Sequence, residues 1–272
     1  MSLQLLKGKK GIIFGALDES SIAWKVAQKA FDHGAEFILT NAPVALRMGK
    51  INDLAKACNT EVVAADATSM EDLENLIKIA TEKYGKLDFI LHSIGMSINV
   101  RKKKEYTDLN HEWMKKTFDI SAISFHKVMQ TAYKMDALND GASVLALTYI
   151  AAQRTFPGYG EMAESKALLE SFARSFGYHY GKEKKVRVNT ISQSPTVTTA
   201  GSGVKGFDVF FNYADKLSPL GNASSDSCAD YCVVMFSDMT RMVTMQNLFH
   251  DGGYSSIGLS EAFIEEMGSS KE

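Results

Sequence analysis

Short apolar runs that alternate with longer segments of helical period are the feature that most constrains the fold of this chain. The runs Gly11–Phe14 and Glu36–Thr40 are separated by a helical pattern from about Ser21 to His33. The remaining runs and long helical patterns are Glu61–Ala64, Leu87–His92, Asn110–Met135, Ser143–Leu147, Gly158–Tyr180, Val186–Ile191 and Leu248–His250. Strands that alternate with helices predict a parallel sheet covered on both faces, and buried parallel strands are continuously apolar.

The alternation continues along the whole chain. No internal repeat, low-complexity linker or shift in composition marks a domain boundary. A length of 272 residues suits one large α/β domain or two small ones. We therefore predict a single Rossmann-type domain over residues 1–272, with a doubly wound parallel sheet of about seven strands.

Composition and charge exclude several classes of protein. Hydrophobic residues make up 45% of the chain and charged residues 23%, which is typical of a globular protein. The formal net charge of −2 provides no basic field for bulk binding of nucleic acid. No run approaches the roughly 18 apolar residues of a membrane helix, and the first ten residues lack the features of a signal peptide. These features predict a cytoplasmic protein that binds neither nucleic acid nor membrane.

Three cysteines, Cys58, Cys228 and Cys232, are too few and too scattered for a disulfide framework. Cys228 and Cys232 lie four residues apart in a predicted helix, so they could either share a zinc ion or pack together. No His/Cys pair accompanies them, which favours packing. We predict no metal site.

The turn after the first strand offers a site for a nucleotide. In a doubly wound sheet, ligands bind at the carboxyl ends of the strands. Gly15 would let the backbone approach a pyrophosphate, and Ser20 or Ser21 would cap the helix whose N-terminus attracts the phosphates. The full G-x-G-x-x-G pattern is missing, so a capped helix without a ligand is the alternative.

The end of the second strand indicates which nucleotide would bind. Enzymes that use NAD usually place an acidic residue there, and those that use NADP a basic one. This chain has Asn41-Ala42, with Arg47 and Lys50 further on, where a solvated helix surface is their expected place. The absence of a basic residue at the end of the second strand favours NADH over NADPH.

The ends of the third and fourth strands fit the same pocket. Asp66, followed by Ala67, could accept a hydrogen bond from an adenine amino group. Gly95, at the end of Ser93-Ile94-Gly95, would permit close passage of a nicotinamide. Either segment could equally be a strand end that turns.

Two tyrosines and a lysine follow the fifth strand. Tyr159 and Lys166 are seven residues apart, so a continuous helix would place them on one face. A nearby ammonium favours a phenolate or strengthens its hydrogen bonds, and such a pair can stabilise an oxyanion and relay a proton. This spacing also arises by chance in many helices, so the position after a Rossmann strand is what points to catalysis.

The pattern Tyr-x9-Tyr-x6-Lys formed by Tyr149, Tyr159 and Lys166 resembles the enoyl-acyl carrier protein reductases of the FabI type. These are a divergent branch of the short-chain dehydrogenase/reductase superfamily, whose ordinary members carry Tyr-x3-Lys. Ordinary ketoreductases also carry a serine about thirteen residues before the tyrosine, where this chain has Ala146. The resemblance covers almost the whole chain, through Gly15 with Ser21-Ile22, His92–Gly95, Asp119–Ser121, Arg187–Asn189, Ile191-Ser192 and Asp251–Tyr254.

This resemblance implies reduction of a trans-2-enoyl thioester by NADH in the last reductive step of fatty acid elongation. Tyr159 would contact the thioester carbonyl as it becomes an enolate, Tyr149 would line the acyl site and assist, and Lys166 would hold the nicotinamide ribose. The implied cofactor contacts are Gly15, Ser21, Ile22, Asp66, Ala67, Ser93, Ile94, Gly95, Ile120, Lys166, Ser194, Thr196 and Thr198. The implied substrate contacts are Ser97, Tyr149, Tyr159 and Phe207.

The resemblance also implies a substrate lid at about residues 196–216, a homotetramer, and an acidic acyl carrier protein as partner. The basic run Arg101–Lys104 is either a solvated loop or a docking surface for that carrier. In two places the chain departs from the family. Ser194-Pro195-Thr196 replaces the usual Gly-Pro-Ile, and Ala42 stands near the position of a usual Gln or Arg, which leaves the cofactor preference open.

Two other functions fit a Rossmann domain. One is a short-chain reductase that acts on a carbonyl, and the other is a nucleotide-binding regulator without turnover. The set of Tyr149, Tyr159 and Lys166 weighs against both.

Overall fold

The structure, a computed structural model, describes residues 3–198 and 206–269. Within them, seven strands form one sheet in the order β3-β2-β1-β4-β5-β6-β7, and every neighbouring pair is parallel. The strands are β1 (Lys10–Phe14), β2 (Glu36–Asn41), β3 (Glu61–Ala64), β4 (Leu87–His92), β5 (Leu138–Thr148), β6 (Arg187–Gln193) and β7 (Asn247–His250). The predicted doubly wound sheet of a single α/β domain is confirmed.

Helices cover both faces of this sheet. They are α1 (Ile22–Asp32), α2 (Pro43–Met48), α3 (Ile51–Ala57), α4 (Met70–Tyr84), α5 (Ile98–Arg101), α6 (His111–Phe118), α7 (Ser124–Lys134), α8 (Met162–Lys184), α9 (Phe207–Leu217), α10 (Ser225–Phe236) and α11 (Glu261–Ser269). Buried side chains of α1, α3 and α10 form one core cluster, and those of α4, α7 and α8 form the other.

The central strand β1 is apolar from Gly11 to Phe14 because both of its faces are buried. In β1, Ile12 and Phe14 belong to one core cluster, whereas Ile13 between them belongs to the other. All three side chains are at most 1% exposed. Successive residues of a strand point to opposite faces, so a sheet between two helical layers needs apolar residues at both.

The prediction of one continuous helix over Asn110–Met135 is wrong. It consists of α6, a π-helical turn at Asp119–Ile123, and α7. The turn is held from outside the helix, since the Ser121 hydroxyl accepts a hydrogen bond from the Met96 backbone N–H (2.9 Å). A π-turn inserts one residue into a helix and is common at functional sites. Here it joins Ser121 to the loop that follows β4.

Cys228 and Cys232 both lie on α10, and both are fully buried. A hydrogen bond with the neighbouring Cys228 raises the pKa of the Cys232 thiol, and burial acts in the same direction. Among residues 3–198 and 206–269, no three His, Cys, Asp or Glu side chains are grouped so as to hold a metal ion. In the same ranges, no helix is both long and apolar enough to span a bilayer.

Candidate active site at the carboxyl edge of the sheet

The strand order reverses between β1 and β4, and the predicted cofactor residues gather near this point. Gly15 follows β1, Asp66 lies just beyond β3, Ser93 follows β4, and Ser194 follows β6. All four strands are parallel, so their carboxyl ends lie at one edge of the sheet. A crevice at such a reversal is where open α/β sheets bind nucleotides.

Gly15 occupies a position that only glycine can fill. Its φ is +95°, and a Cβ atom added there would lie 2.0 Å from the Ser93 carbonyl oxygen. Its N–H donates to the Thr40 carbonyl oxygen at 3.1 Å. The turns after β1 and β4 therefore touch through backbone alone, which leaves a bare surface that a cofactor could approach.

The hydroxyl groups before α1 brace the turn and do not cap the helix. The Ser21 hydroxyl donates to the Asp18 carbonyl oxygen (2.7 Å) and accepts from the Leu17 N–H (3.2 Å). The Ser20 hydroxyl donates to the Asp18 carboxylate at 2.6 Å. Ser21 is the N-cap residue, but no side chain caps α1. The prediction of a serine cap is therefore wrong, and the helix N-terminus keeps its donors for an anion.

The end of β2 offers no cation to a nucleotide ribose. The Asn41 amide donates to the Ala16 carbonyl oxygen (3.0 Å) and accepts from the Ala42 N–H (2.9 Å), so its side chain is committed to backbone. Arg47 is exposed on α2. Lys50 is also exposed, and its ammonium lies 4.0 Å from the Glu19 carboxylate.

Asp66 forms a turn of its own after β3. Its Oδ1 accepts from both the N–H (2.8 Å) and the hydroxyl (2.7 Å) of Thr68. Ala67 is buried. Two further predicted contacts, Ile22 and Ile94, are partly buried and pack against the two core clusters.

Lys166 places a buried ammonium between the ends of β4 and β5. Its side chain is 8% exposed, and its Nζ donates to the Leu147 carbonyl oxygen at 2.8 Å. A Cβ atom added to Gly95 would lie 3.6 Å from this Nζ. Burial lowers the pKa of Lys166 to about 8, and the Glu170 carboxylate acts in the opposite direction. No described residue accepts the other two N–H donors, which suits the paired hydroxyls of a ribose.

His92 is neutral and holds the π-turn. Burial lowers its pKa to about 3, with a further contribution from Lys166. Its Nε2 lies 2.9 Å from the Ser124 hydroxyl, which donates to the Ile120 carbonyl oxygen at 2.7 Å. Because the only hydroxyl proton of Ser124 points to Ile120, Nε2 must carry the proton of His92. This chain of bonds fixes Ile120 relative to β4.

The two predicted tyrosines lie in contact, within an aromatic cluster. The ring centroids of Tyr149 and Tyr159 are 5.3 Å apart, and Phe156 lies 5.2 Å from Tyr149. The cluster continues through Phe156 to Phe210 and Tyr254. Burial raises the pKa of both Tyr149 and Tyr159 above the ordinary value, so both phenols are neutral donors at neutral pH.

Tyr159 reaches this site from a loop, so the prediction that it shares a helical face with Lys166 is wrong. The helix α8 begins at Met162. Gly158 and Gly160 have φ values of +82° and +52°, a backbone conformation that no α-helix contains. In the part of the chain that the structure describes, the Tyr159 hydroxyl forms no hydrogen bond and stays available to a ligand.

Two of the predicted substrate contacts differ from expectation. The Ser97 hydroxyl is 3% exposed, donates to Glu161 (2.8 Å) and accepts from the Val100 N–H (3.0 Å), which leaves little for a substrate. Phe207 begins α9 and pairs with Phe211. It is Phe210 that contacts the aromatic cluster through Phe156, at 6.0 Å.

The hydroxyl groups after β6 make bonds that the family's Gly-Pro-Ile could not make. The Ser194 hydroxyl accepts from the Ala223 N–H (3.0 Å), and the Thr196 hydroxyl donates to the Ser194 carbonyl oxygen (2.9 Å). These bonds tie the turn to the segment before α10. Thr198 is the last described residue before the gap, so Lys205 and most of the glycines of the predicted lid lie outside the described residues.

Two buried carboxylates at the site are absent from the sequence predictions. Glu170 is 4% exposed and accepts from Thr148 (2.9 Å), Gln153 (3.2 Å) and Asn247 (3.2 Å), which joins β5, β7 and the loop toward Tyr159. Its spacing of four residues from Lys166 is the signal that could reveal it. Glu161 is fully buried, and no local sequence signal identifies it.

Known proteins resemble this chain in sequence and fold over most of its length. Residues 15–255, which contain every predicted site residue, match the family model of the enoyl-(acyl carrier protein) reductases. The NADH-dependent enoyl-acyl carrier protein reductase FabI of Rickettsia typhi is 32% identical, and the match covers 96% of this chain and 99% of that protein. A crystal structure of a FabI–NADH complex from Alistipes finegoldii is 64% identical with a TM-score of 0.93, covering 94% of this chain and 91% of that one. The NADH enzyme of Aquifex aeolicus is 30% identical with a TM-score of 0.87, covering 94% and 100%.

Proposed function

Because the chain belongs to the enoyl-acyl carrier protein reductase family, we propose that it reduces trans-2-enoyl thioesters with NADH in fatty acid synthesis. The observation that carries this proposal is the combination of a buried, partly unpaired Lys166 ammonium with the contacting rings of Tyr149 and Tyr159. The ammonium provides donors for a cofactor, and the tyrosines provide donors for a carbonyl. Both lie at the carboxyl edge of the sheet.

The residues around the crevice fit NADH. Gly15 supplies the bare turn, Asp66 a free carboxylate oxygen near the adenine end, and Lys166 the donors for a ribose. The set that we propose for the cofactor is Gly15, Ser21, Ile22, Asp66, Ala67, Ser93, Ile94, Gly95, Ile120, Lys166, Ser194, Thr196 and Thr198. NADH, when bound, supplies the hydride.

The tyrosines then act on the thioester. Addition of hydride to the β-carbon moves the double-bond electrons toward the carbonyl, and the oxygen gains the charge of an enolate. Tyr159 is neutral because of its raised pKa, so it donates a hydrogen bond to that oxygen. A proton taken from solvent at the α-carbon would complete the saturated thioester. Tyr149, in ring contact with Tyr159, lines the acyl site and supports its orientation.

We propose the partner and the assembly from the family resemblance. The enoyl chain is carried by an acyl carrier protein, and we propose a homotetramer and a cytoplasmic location. We further propose that residues 196–216 act as a lid over the acyl chain. All of α9 except its last residue, Leu217, lies in this range, and Phe210 of this helix contacts Phe156 beside Tyr149.

One assay separates this function from the alternatives. Oxidation of NADH is followed with crotonyl-CoA and, in parallel, with acetoacetyl-CoA. We expect rapid oxidation with crotonyl-CoA alone, because the site has no serine in the position that carbonyl reduction uses. Turnover of acetoacetyl-CoA alone would indicate a carbonyl reductase. Binding of NADH without turnover of either substrate would indicate a regulator.

A further inference from the structure

A buried polar network lies directly behind the loop that carries Tyr159. Its centre is Glu161, whose side chain is fully buried two residues after the tyrosine. One carboxylate oxygen, Oε1, accepts from the Ser97 hydroxyl (2.8 Å), the Asn99 amide (3.2 Å) and the Thr117 hydroxyl (2.7 Å). Ser97, Asn99 and Thr117 are each at most 3% exposed. We call these four residues the Glu161 network.

The network joins three parts of the fold. Ser97 caps α5, Asn99 lies within that helix, and Thr117 lies on α6. Asn99 extends the connection, because its side chain also bonds both the N–H (3.0 Å) and the carbonyl oxygen (3.1 Å) of Asn110. Glu161 is the residue immediately before α8. Its carboxylate therefore fixes the start of α8 against the segment that follows β4.

The loop that carries Tyr159 requires such an anchor. Gly158 and Gly160 flank the tyrosine, both at positive φ, and glycine has many accessible backbone conformations. Among the described residues, the Tyr159 hydroxyl has no hydrogen-bond partner, and the Tyr159 ring contacts one other ring, that of Tyr149. The residue after Gly160, just before α8 begins, is Glu161 with its buried carboxylate.

Packing on Gly160 supports the same arrangement. A Cβ atom added there would lie 3.2 Å from a methyl group of Val100 and 3.8 Å from one of Leu109. The segment between Ser97 and Leu109 therefore presses on the loop beside Tyr159, while the Glu161 network holds the two together. Displacement of the Glu161 carboxylate would therefore remove a constraint on the position of Tyr159.

We propose that Glu161 is a positioning residue, which holds the Tyr159 hydroxyl where the thioester oxygen must lie during reduction. The inference rests on the proposed function. It assigns Glu161 no contact with substrate or cofactor, so its removal should affect turnover and leave NADH binding intact. A misplacement of about 1 Å in a catalytic group costs about 100-fold in rate.

Three variants test this proposal. Glu161→Ala removes the acceptor, and we expect kcat with crotonyl-CoA to fall about 100-fold while the Kd for NADH stays unchanged. Glu161→Gln keeps an oxygen at Oε1 and should restore most of the lost kcat. Glu164→Gln is the matched control. Glu164 lies in the first turn of α8, is exposed, and accepts from the Tyr106 hydroxyl (2.7 Å) on the same neighbouring segment. Its loss should therefore leave kcat unchanged.

The outcomes distinguish a role of Glu161 in positioning Tyr159 from a role only in the stability of the fold. An unchanged kcat in Glu161→Ala overturns the proposal. So does a joint loss of kcat, NADH affinity and Tm that Glu161→Gln fails to restore, because a structural role alone produces that pattern. If Glu161→Ala does not fold, Thr117→Val removes one donor with little change in shape, and a lower kcat at constant NADH affinity must then appear. Absence of turnover in the wild-type protein would instead reject the proposed function, and this inference with it.

Discussion

At the scale of single residues, the raised pKa of Tyr159 predicts the effect of removing its hydroxyl group. A neutral phenol is a hydrogen-bond donor, and Tyr159→Phe deletes that donor without changing the ring that contacts Tyr149. Loss of one oxyanion donor costs about 3–4 kcal/mol, or about 100- to 1000-fold in kcat. We expect this loss in steady-state turnover of crotonyl-CoA, with NADH affinity unchanged.

Lys166→Ala is the companion variant. It should lose NADH affinity as well as kcat, because in our proposal Lys166 binds the cofactor and Tyr159 does not. Fluorescence titration with NADH measures the difference. Near wild-type turnover in both variants would contradict the assignment of the site.

The lowered pKa of Lys166 predicts a pH dependence in NADH binding. Its pKa is about 8, set by burial, so the ammonium is charged below that pH and loses its proton above it. Affinity for NADH should therefore fall as pH rises through about 8. In the unfolded chain the pKa is higher, so the burial of this charge costs stability below pH 8, and the cost disappears as pH rises toward the unfolded value.

A substitution at Glu170 tests whether the titration of Lys166 causes this pH dependence. Its carboxylate lies one helical turn from Lys166 and raises the pKa of the lysine. Glu170→Gln should therefore shift the midpoint of the NADH-binding profile to lower pH. Since Glu170 also bonds Thr148 and Asn247, Tm is measured in parallel. An unmoved midpoint in a folded variant would show that another group controls the profile.

At the scale of elements, we expect the turn after β2 to set the preference between NADH and NADPH. The NADPH phosphate would lose water without gaining a cation, because the Asn41 amide is committed to backbone and Lys50 faces Glu19. NADPH should therefore bind more weakly than NADH. Ala42→Arg places a guanidinium at the start of α2 and should narrow the ratio of the two Kd values. A preference of the wild-type protein for NADPH would mean that Arg47 or Lys50 reaches the phosphate.

The elements also show how far the sequence can predict this structure. Each of the seven strands overlaps its predicted apolar run, and in central strands such as β1 and β4 burial on both faces produces that local signal. The break between α6 and α7 has no such signal, since the bonds of Ser121 to Met96 that hold it join residues 25 apart in sequence. The start of α8 depends likewise on Glu161 and Ser97, which are 64 residues apart.

In the site, too, some features are predictable from the sequence and others are not. Tyr149, Tyr159 and Lys166 are identifiable from spacing, and the structure brings the two tyrosines into contact. What the hydroxyls of Ser21 and Ser97 do is not identifiable, because their bonds depend on a turn and on a distant helix. Residue types and spacing therefore predict which side chains gather, whereas their hydrogen-bond partners emerge only from the tertiary arrangement.

At the scale of the whole molecule, charge suggests where an acidic carrier protein docks. The run Arg101–Lys104 is exposed on a chain of net charge −2. Lys104 pairs with Asp108 at 2.8 Å, so the first three residues carry the uncommitted charge. The same segment packs on Gly160 through Val100, which places the run on the structural unit that supports Tyr159. A carrier bound there would hold its acyl chain near the aromatic cluster.

Charge reversal tests this surface. We expect Arg101, Lys102 and Lys103→Glu to raise KM for an enoyl carrier protein, and to reduce the salt dependence of that KM, because opposite charges steer association. The matched control reverses Lys134, Lys182 and Lys185, exposed residues around the far end of α8. A 23-residue helix separates that end from the tyrosine loop by about 33 Å. Crotonyl-CoA is measured beside the carrier substrate, since the phosphates of CoA also respond to charge. If both substrates or both triple variants change equally, the carrier docks elsewhere and the run is a solvated loop.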